Sequence, residues 1–256
     1  MSEQPIDGDL AALADFWRQA QNVVVLTGAG LSTASGIPDF RSPGGRWSDY
    51  QPVTIQEFEN SHASRIEYWR YKGETWDVIQ QAEPNAAHLT LTELAEAGRL
   101  QLLVTQNIDG LHERSGFPSE RYITIHGTDA AVECLSCGHR EPRADAQAAW
   151  AAGTEVPTCG ECGGWFKPAT ISFGQQLVMD DLKRAFAACE GCDLFIAIGT
   201  SLVVSPINYT FALAHKAGAK TAILTASETP FDDEVTWRSS GRVEQVLPRL
   251  RDLILA

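Results

Sequence analysis

The chain has no apolar run that approaches the ~20 residues needed to span a bilayer. Its first ten residues, MSEQPIDGDL, have neither a basic start nor an apolar middle, which argues against a secretory signal. Cations are scarce: 20 Lys and Arg stand against 33 Asp and Glu, for a formal net charge of −13. That deficit argues against a nucleic-acid-binding surface and suits basic partners. There is no internal repeat or low-complexity tract. These absences point to a cytoplasmic protein with no membrane or nucleic-acid partner. What remains is 256 residues with 44% hydrophobic content, enough for one large domain or a domain carrying a smaller insert.

The most informative stretch is VVVLTGAGLSTASGIPDFR, Val23 to Arg41. Val23 to Leu26 are consecutive apolar residues, three of them β-branched, as in a parallel strand buried on both faces. Gly28-Ala29-Gly30 follow at once, and glycines there let a ligand approach bare N–H groups. A strand running into such a turn is the usual phosphate cradle of a dinucleotide site. The fingerprint is incomplete: the next glycine is Gly36, and no acidic residue closes a second strand at the expected distance. A Gly-rich turn of an ordinary α/β protein is therefore an equal reading at this point. The polar extension through Ser32, Thr33 and Ser35 to Asp39-Phe40-Arg41 favours a cofactor held for chemistry other than simple hydride transfer.

Apolar spacing predicts a helix near 8–20 ahead of this strand. Residues 42–83 lack a buried-strand pattern and read as a helical insert, with helices near 54–59 and 62–81. Asn85 is placed to cap a helix ended by Gly98. Strands are expected at Leu102–Val104, Tyr122–Ile125, Leu194–Ile198 and Thr221–Leu224, with helices near 180–189 and 206–217 and a C-terminal helix from Val243 broken near Pro248. Alternating strands and helices mean a parallel, doubly wound α/β sheet, whose ligands bind at the carboxyl ends of the strands. Four strand ends carry polar or Gly-rich sequence: Thr27–Ser35, Gln106–His112, His126-Gly127 and Gly199–Ser201.

Two motifs bear chemistry. Cys134-x-x-Cys137 and Cys159-x-x-Cys162 each have a glycine beside the second cysteine, and four thiolates suit one tetrahedral, structural Zn²⁺. Such pairing fits a reducing compartment. Cys189 and Cys192 lack a partner pair and read as packing. His126 ends a strand where ligands bind, and imidazole suits a general base, although a lone histidine is also often structural. Asn107 and Asp109 would point from a strand end toward the cofactor, or Asp109 would cap the helix through Leu111.

Taken in order, Thr27 to Arg41, Gln106-Asn107-Ile108-Asp109, Ile125-His126-Gly127, the four cysteines, Lys167-Pro168 with Phe173-Gly174, and Gly199 to Val204 resemble the sirtuins, NAD-dependent protein deacylases. The resemblance covers nearly the whole chain. It implies a Rossmann-like domain (1–41, 84–132 and 166–256) with a helical module (42–83) and a zinc module (133–165), NAD and acyl-lysine meeting between them. By position, Gly28, Ala29, Gly30, Asp39, Phe40 and Arg41 resemble residues around the NAD phosphates and nicotinamide. Gln106, Asn107 and Asp109 resemble ribose and nicotinamide contacts, and His126 the general base. Gly199, Thr200, Ser201, Thr225, Arg242 and Val243 resemble the adenosine side. Ile171, Ser172, Phe173, Gly174, Val203 and Val204 resemble strands that sandwich the substrate peptide.

Two residues depart from the pattern: Gln175 stands where the family often has Glu, and Thr225 where an Asn often meets the ribose. Relatives that prefer acidic acyl groups carry Tyr-x-x-Arg in the helical module, and this chain aligns Trp69 and Lys72 there. Lysine offers a point charge rather than a two-donor fork, so the expectation is a short neutral acyl group, acetyl foremost. An NAD-consuming ADP-ribosyltransferase or glycohydrolase, and a zinc-containing NAD-sensing binding protein, remain as alternatives.

Overall fold

The computed structural model describes residues 8–39 and 50–256. Helix α1 (Gly8–Gln19) leads into β1 (Val23–Thr27), all five residues of which are buried. Thr54 caps α2 (Ile55–Asn60) through a capping box, its hydroxyl accepting from the Glu57 amide while Glu57 accepts from the Thr54 amide. Ser61 caps α3 (His62–Gln81) and Asn85 caps α4 (Ala86–Glu96). Next come β2 (Leu102–Thr105), the single-turn α5 (Leu111–Arg114) and β3 (Tyr122–Thr124). The chain then forms β4 (Gly127–Cys134), β5 (Arg140–Pro142), α6 (Arg143–Ala151) and β6 (Phe166–Thr170). It closes with α7 (Met179–Glu190), β7 (Leu194–Ile198), α8 (Tyr209–Lys216), β8 (Lys220–Leu224), β9 (Trp237–Ser239) and α9 (Val243–Leu255).

Six strands form one parallel sheet in the order β3-β2-β1-β7-β8-β9. The order reverses between β1 and β7, the switch point at which doubly wound sheets bind ligands. The alternation of β1 decides which helices cover which face. Val23 and Val25 pack with Leu13, Trp17, Leu91 and Leu250 of α1, α4 and α9, and Val24 and Leu26 pack with Leu182, Ala185 and Phe211 of α7 and α8. Cys189 and Cys192 are buried in the second of these layers. No helix among the described residues is long and apolar enough to cross a membrane.

A separate antiparallel sheet has the order β5-β4-β6. Residues 127–132 and 166–170, expected with the large domain, pair in this second sheet instead. Its core is small and joins Val132, Cys134, Ala146, Cys159 and Phe166 to Phe58, Tyr68 and Trp69 of α2 and α3. Other differences are local. The helix expected from 206 begins at Tyr209, while β4, β5, β6, α6 and β9 were not foreseen. Helix α9 runs unbroken through Pro248. The ring removes one amide donor, but Val243, Val246, Leu247, Leu250 and Ile254 are buried against the sheet's other helices, and that packing outweighs one lost bond.

Candidate active site

A cavity of about 360 Å³ lies between the carboxyl ends of the large sheet and the face of α3. Its floor is a close approach of two turns. Gly28 N donates to Ile198 O at 3.0 Å and Gly30 N to Gly199 O at 2.9 Å. A Cβ on Gly28 would sit 2.8 Å from Gly199 O, and one on Gly199, at φ +61°, would sit 2.4 Å from Leu31 N. Only glycine permits this contact, and bare backbone is what a pyrophosphate needs at a strand-to-turn junction.

Short polar side chains lock the strand ends together. Gln106 Nε2 donates to Thr200 Oγ1 at 2.9 Å, tying β2 to the turn after β7. Asn107 Nδ2 donates to Gly28 O and to Ser32 Oγ, both at 3.1 Å. Ser32 Oγ in turn donates to Asp109 Oδ2 at 2.7 Å, and Asp109 Oδ1 accepts from the Leu111 amide at 3.0 Å. Asp109 thus braces the turn into α5, whose N-cap is Gly110, and lines the cavity at once. Burial pushes its carboxyl above the ordinary value, opposed by the Leu111 amide and the Ser32 hydroxyl.

His126 lies between the end of β3 and the start of β4 and lines the same cavity. Its Nδ1 lies 3.1 Å from Gln106 O. A carbonyl can only accept, so Nδ1 carries the proton and Nε2 is left as the basic nitrogen. Burial pushes its pKa below the ordinary histidine value, with the Gln106 carbonyl opposing, so the ring is neutral at pH 7. Beside it Gly127 adopts φ +74°, where a Cβ would meet Ala169 O at 2.2 Å. That approach lets Ile171 N reach His126 O at 2.8 Å.

The cavity also gathers Ala29, Asp39, Ser201, Thr225, Ile171, Ser172, Phe173, Gly174, Val204 and Lys72. Gln175 lines it as well and braces it, its Oε1 accepting from the Ser172 amide at 3.0 Å. Residues 171–174 and 203–204 are irregular rather than strands. Phe40 and Arg41 lie outside the described residues.

Four expected contacts are placed elsewhere. Trp69 is fully buried: its Nε1 donates to Phe166 O at 3.0 Å and the Arg143 guanidinium lies 4.7 Å from its ring. Helical geometry explains the displacement. Tyr68, Lys72 and Ile79 share the face of α3 turned to the cavity, whereas Trp69 lies about 100° round from Tyr68, toward α6 and β6. Val203 is exposed and only Val204 lines the cavity. Arg242 is exposed and Val243 is buried in the α1–α4–α9 layer, because it opens the apolar face of α9. The sequence reading missed Tyr68 and Tyr71, which line the cavity, and gave no role to Ser32 and Ile108, which lie in stretches it singled out and line the cavity too. The i, i+4 spacing of Tyr68 and Lys72 was the available signal for the first.

The four cysteines converge outside the cavity, their sulfurs all within 4.8 Å of one another. Cys134 and Cys162 sulfurs are 3.5 Å apart, and those of Cys137 and Cys159 3.8 Å. Two turns supply them, one joining β4 to β5 and one before β6. Four thiolates at this spacing fit a single tetrahedral Zn²⁺ and leave no open position for substrate.

A family model described as the Sir2 family matches residues 28–206. The chain is 41% identical over 222 residues to an NAD-dependent protein deacetylase of Rhodopseudomonas palustris, covering 86% of this chain and 87% of the relative. It is 40% identical to NAD-dependent protein deacetylase 1 of Pyrobaculum aerophilum, covering 95% and 94%. Among solved structures, a Sir2–p53 peptide–NAD⁺ complex superposes with a TM-score of 0.86 at 33% identity, over 94% of this chain and 96% of that one. A Sir2Tm complex with a propionylated peptide gives 0.85 at 32% identity, over 95% and 97%.

Proposed function

This chain belongs to the Sir2 family, and from that premise we propose that it removes acyl groups, acetyl foremost, from protein lysines at the expense of NAD. The products are nicotinamide, free lysine and O-acyl-ADP-ribose. NAD, when bound, supplies the electrophilic ribose carbon that receives the acyl oxygen. The chain's own residues bind, orient and move protons. Gly28, Ala29, Gly30 and Asp39 take the phosphate side, together with Phe40 and Arg41. Gln106, Asn107 and Asp109 take the nicotinamide ribose. Gly199, Thr200, Ser201 and Thr225 take the adenosine side. Ile171 to Gly174 and Val204 hold the peptide backbone, and Tyr68, Tyr71 and Lys72 surround the acyl end.

The observation that carries the reading is the fixed tautomer of His126. With Nδ1–H committed to the Gln106 carbonyl, Nε2 is held as a neutral base facing the cavity's contents and can take a proton from a ribose hydroxyl. The cysteine cluster holds one structural zinc, and thiolate ligands of that kind favour a reducing, cytoplasmic setting.

Incubation with NAD and matched acetyl-, propionyl- and succinyl-lysine peptides, read by mass spectrometry, tests this. Acetyl-lysine is expected to give O-acetyl-ADP-ribose, with kcat/KM above that for succinyl-lysine. His126→Ala should lower kcat by about 10²–10⁴-fold. ADP-ribose released without acyl transfer would instead support a glycohydrolase.

A further inference from the structure

We propose that Asp129 sets the acyl-group specificity of this site: it holds the Lys72 ammonium and so denies that cation to an acyl carboxylate. The inference rests on the deacylase reading above. Lys72 lines the cavity, and its Nζ donates to Asp129 Oδ1 at 3.1 Å. The pair is sealed, with side-chain exposures of 9% and 1%. Burial pushes the Lys72 pKa down, but Asp129 together with the Tyr68 and Tyr71 hydroxyls more than offsets it and the net shift is upward, which favours the charged, paired form.

Asp129 is placed by the same backbone that places the base. It lies three residues after His126 on β4, and its amide donates to Ile108 O at 3.0 Å, beside the cavity. Two further buried cations stand near it, and one of them, Arg143, also feels the Asp129 carboxylate without bonding to it. Arg143 is buried with its guanidinium over the rings of Trp69 and Trp76. Lys167 is buried and donates to the carbonyls of Pro168 and Thr170. Among the described residues, Asp129 is the one carboxylate bonded to Lys72. An incoming acyl carboxylate would therefore have to share Lys72 with a fixed, desolvated anion, and like charges at that range repel strongly. A neutral acyl group makes no such demand.

Asp129→Asn keeps the shape and the oxygen acceptor but removes the negative charge. The ratio of succinyl to acetyl kcat/KM, measured on one preparation, is independent of the fraction folded. That ratio should rise at least about tenfold, since one net charge contact is worth that much or more. Succinyl-peptide affinity without NAD, by fluorescence anisotropy, should rise in parallel. The double variant Asp129→Asn/Lys72→Met serves as a second variant: the rise in the ratio should vanish in it, because the released Lys72 cation is what an acyl carboxylate would bind. An unchanged ratio in Asp129→Asn, or a rise that survives in Asp129→Asn/Lys72→Met, overturns the proposal. Wild-type protein that deacylates no peptide would overturn the deacylase reading instead.

Discussion

The two sheets of this molecule are stabilised in different ways. The six-stranded sheet is held by apolar layers on both faces, and its buried polar groups are neutral: Thr27, Thr105, Asn107, His88 and His112. The three-stranded sheet and the helices against it have a far smaller apolar core and bury charge: Lys72, Asp129, Arg143 and Lys167, with Arg65 over Trp165. Surface-to-volume scaling gives the reason, since a small unit cannot bury enough apolar area and must add metal, cation–π or ionic contacts. The consequence for function is a cavity whose α3 wall carries a buried ion pair, suited to discriminating acyl groups.

The largest effect should come from removing the small unit's metal. Cys134→Ser is expected to lose the single zinc per chain, which metal analysis would show, and to melt the three-stranded sheet while the parallel sheet persists. Structural zinc sites contribute apparent binding free energies of roughly 10–16 kcal/mol, so little else can compensate. Full zinc retention with an unchanged melting curve would break the contrast between the two units.

Acid should act on the other half. His88 and His112 stack edge to face, 5.0 Å apart, beneath the sheet, and His112 Nε2 lies 3.1 Å from Thr27 Oγ1. Burial, aided by Arg114, pushes His88 down from 6.5 to about 4, and burial, aided by His88, pushes His112 well down too. A histidine depressed in the folded state binds fewer protons there than when unfolded. Stability is therefore complete above about 6.5 and is lost as pH falls toward 4. His88 alone accounts for about 3 kcal/mol over that window. Urea unfolding at pH 7 and pH 4.5 would measure the loss, and His88→Gln should flatten it.

A smaller, more local effect sharpens the comparison. In Gly28→Ala the new methyl would meet Gly199 O and Thr200 Cβ, each 2.8 Å away. Overpacking of that kind costs roughly 1–3 kcal/mol. The variant should raise KM for NAD while zinc content stays at wild type; a normal KM would remove Gly28 from the dinucleotide floor.

Much of the site was legible because it lies where local pattern and topology agree. The run Val23–Leu26 reads as a strand buried on both faces, and it is the central strand whose Gly-rich end lies at the switch point. The cysteine spacing fixed the four ligands that converge here. Legibility failed where the answer depended on which way one helix is turned. Trp69 and Lys72, three residues apart, looked like one acyl-binding pair, yet α3 presents Lys72 with Tyr68 to the cavity and buries Trp69 against β6. Arg242 and Val243 do not line the cavity either: Val243 opens the buried face of α9, which depends on how that helix packs.

By itself, then, the sequence determined the strand–helix alternation, the glycine turns and the cysteine ligands, because each follows from residue type at short spacing. The tertiary structure alone decided that β4 and β6 leave the large sheet, and that Lys72 meets Asp129, 57 residues away, inside the molecule. Such a pairing of long-range partners depends on the packing of whole elements and on which buried charge finds a counter-charge when water is excluded.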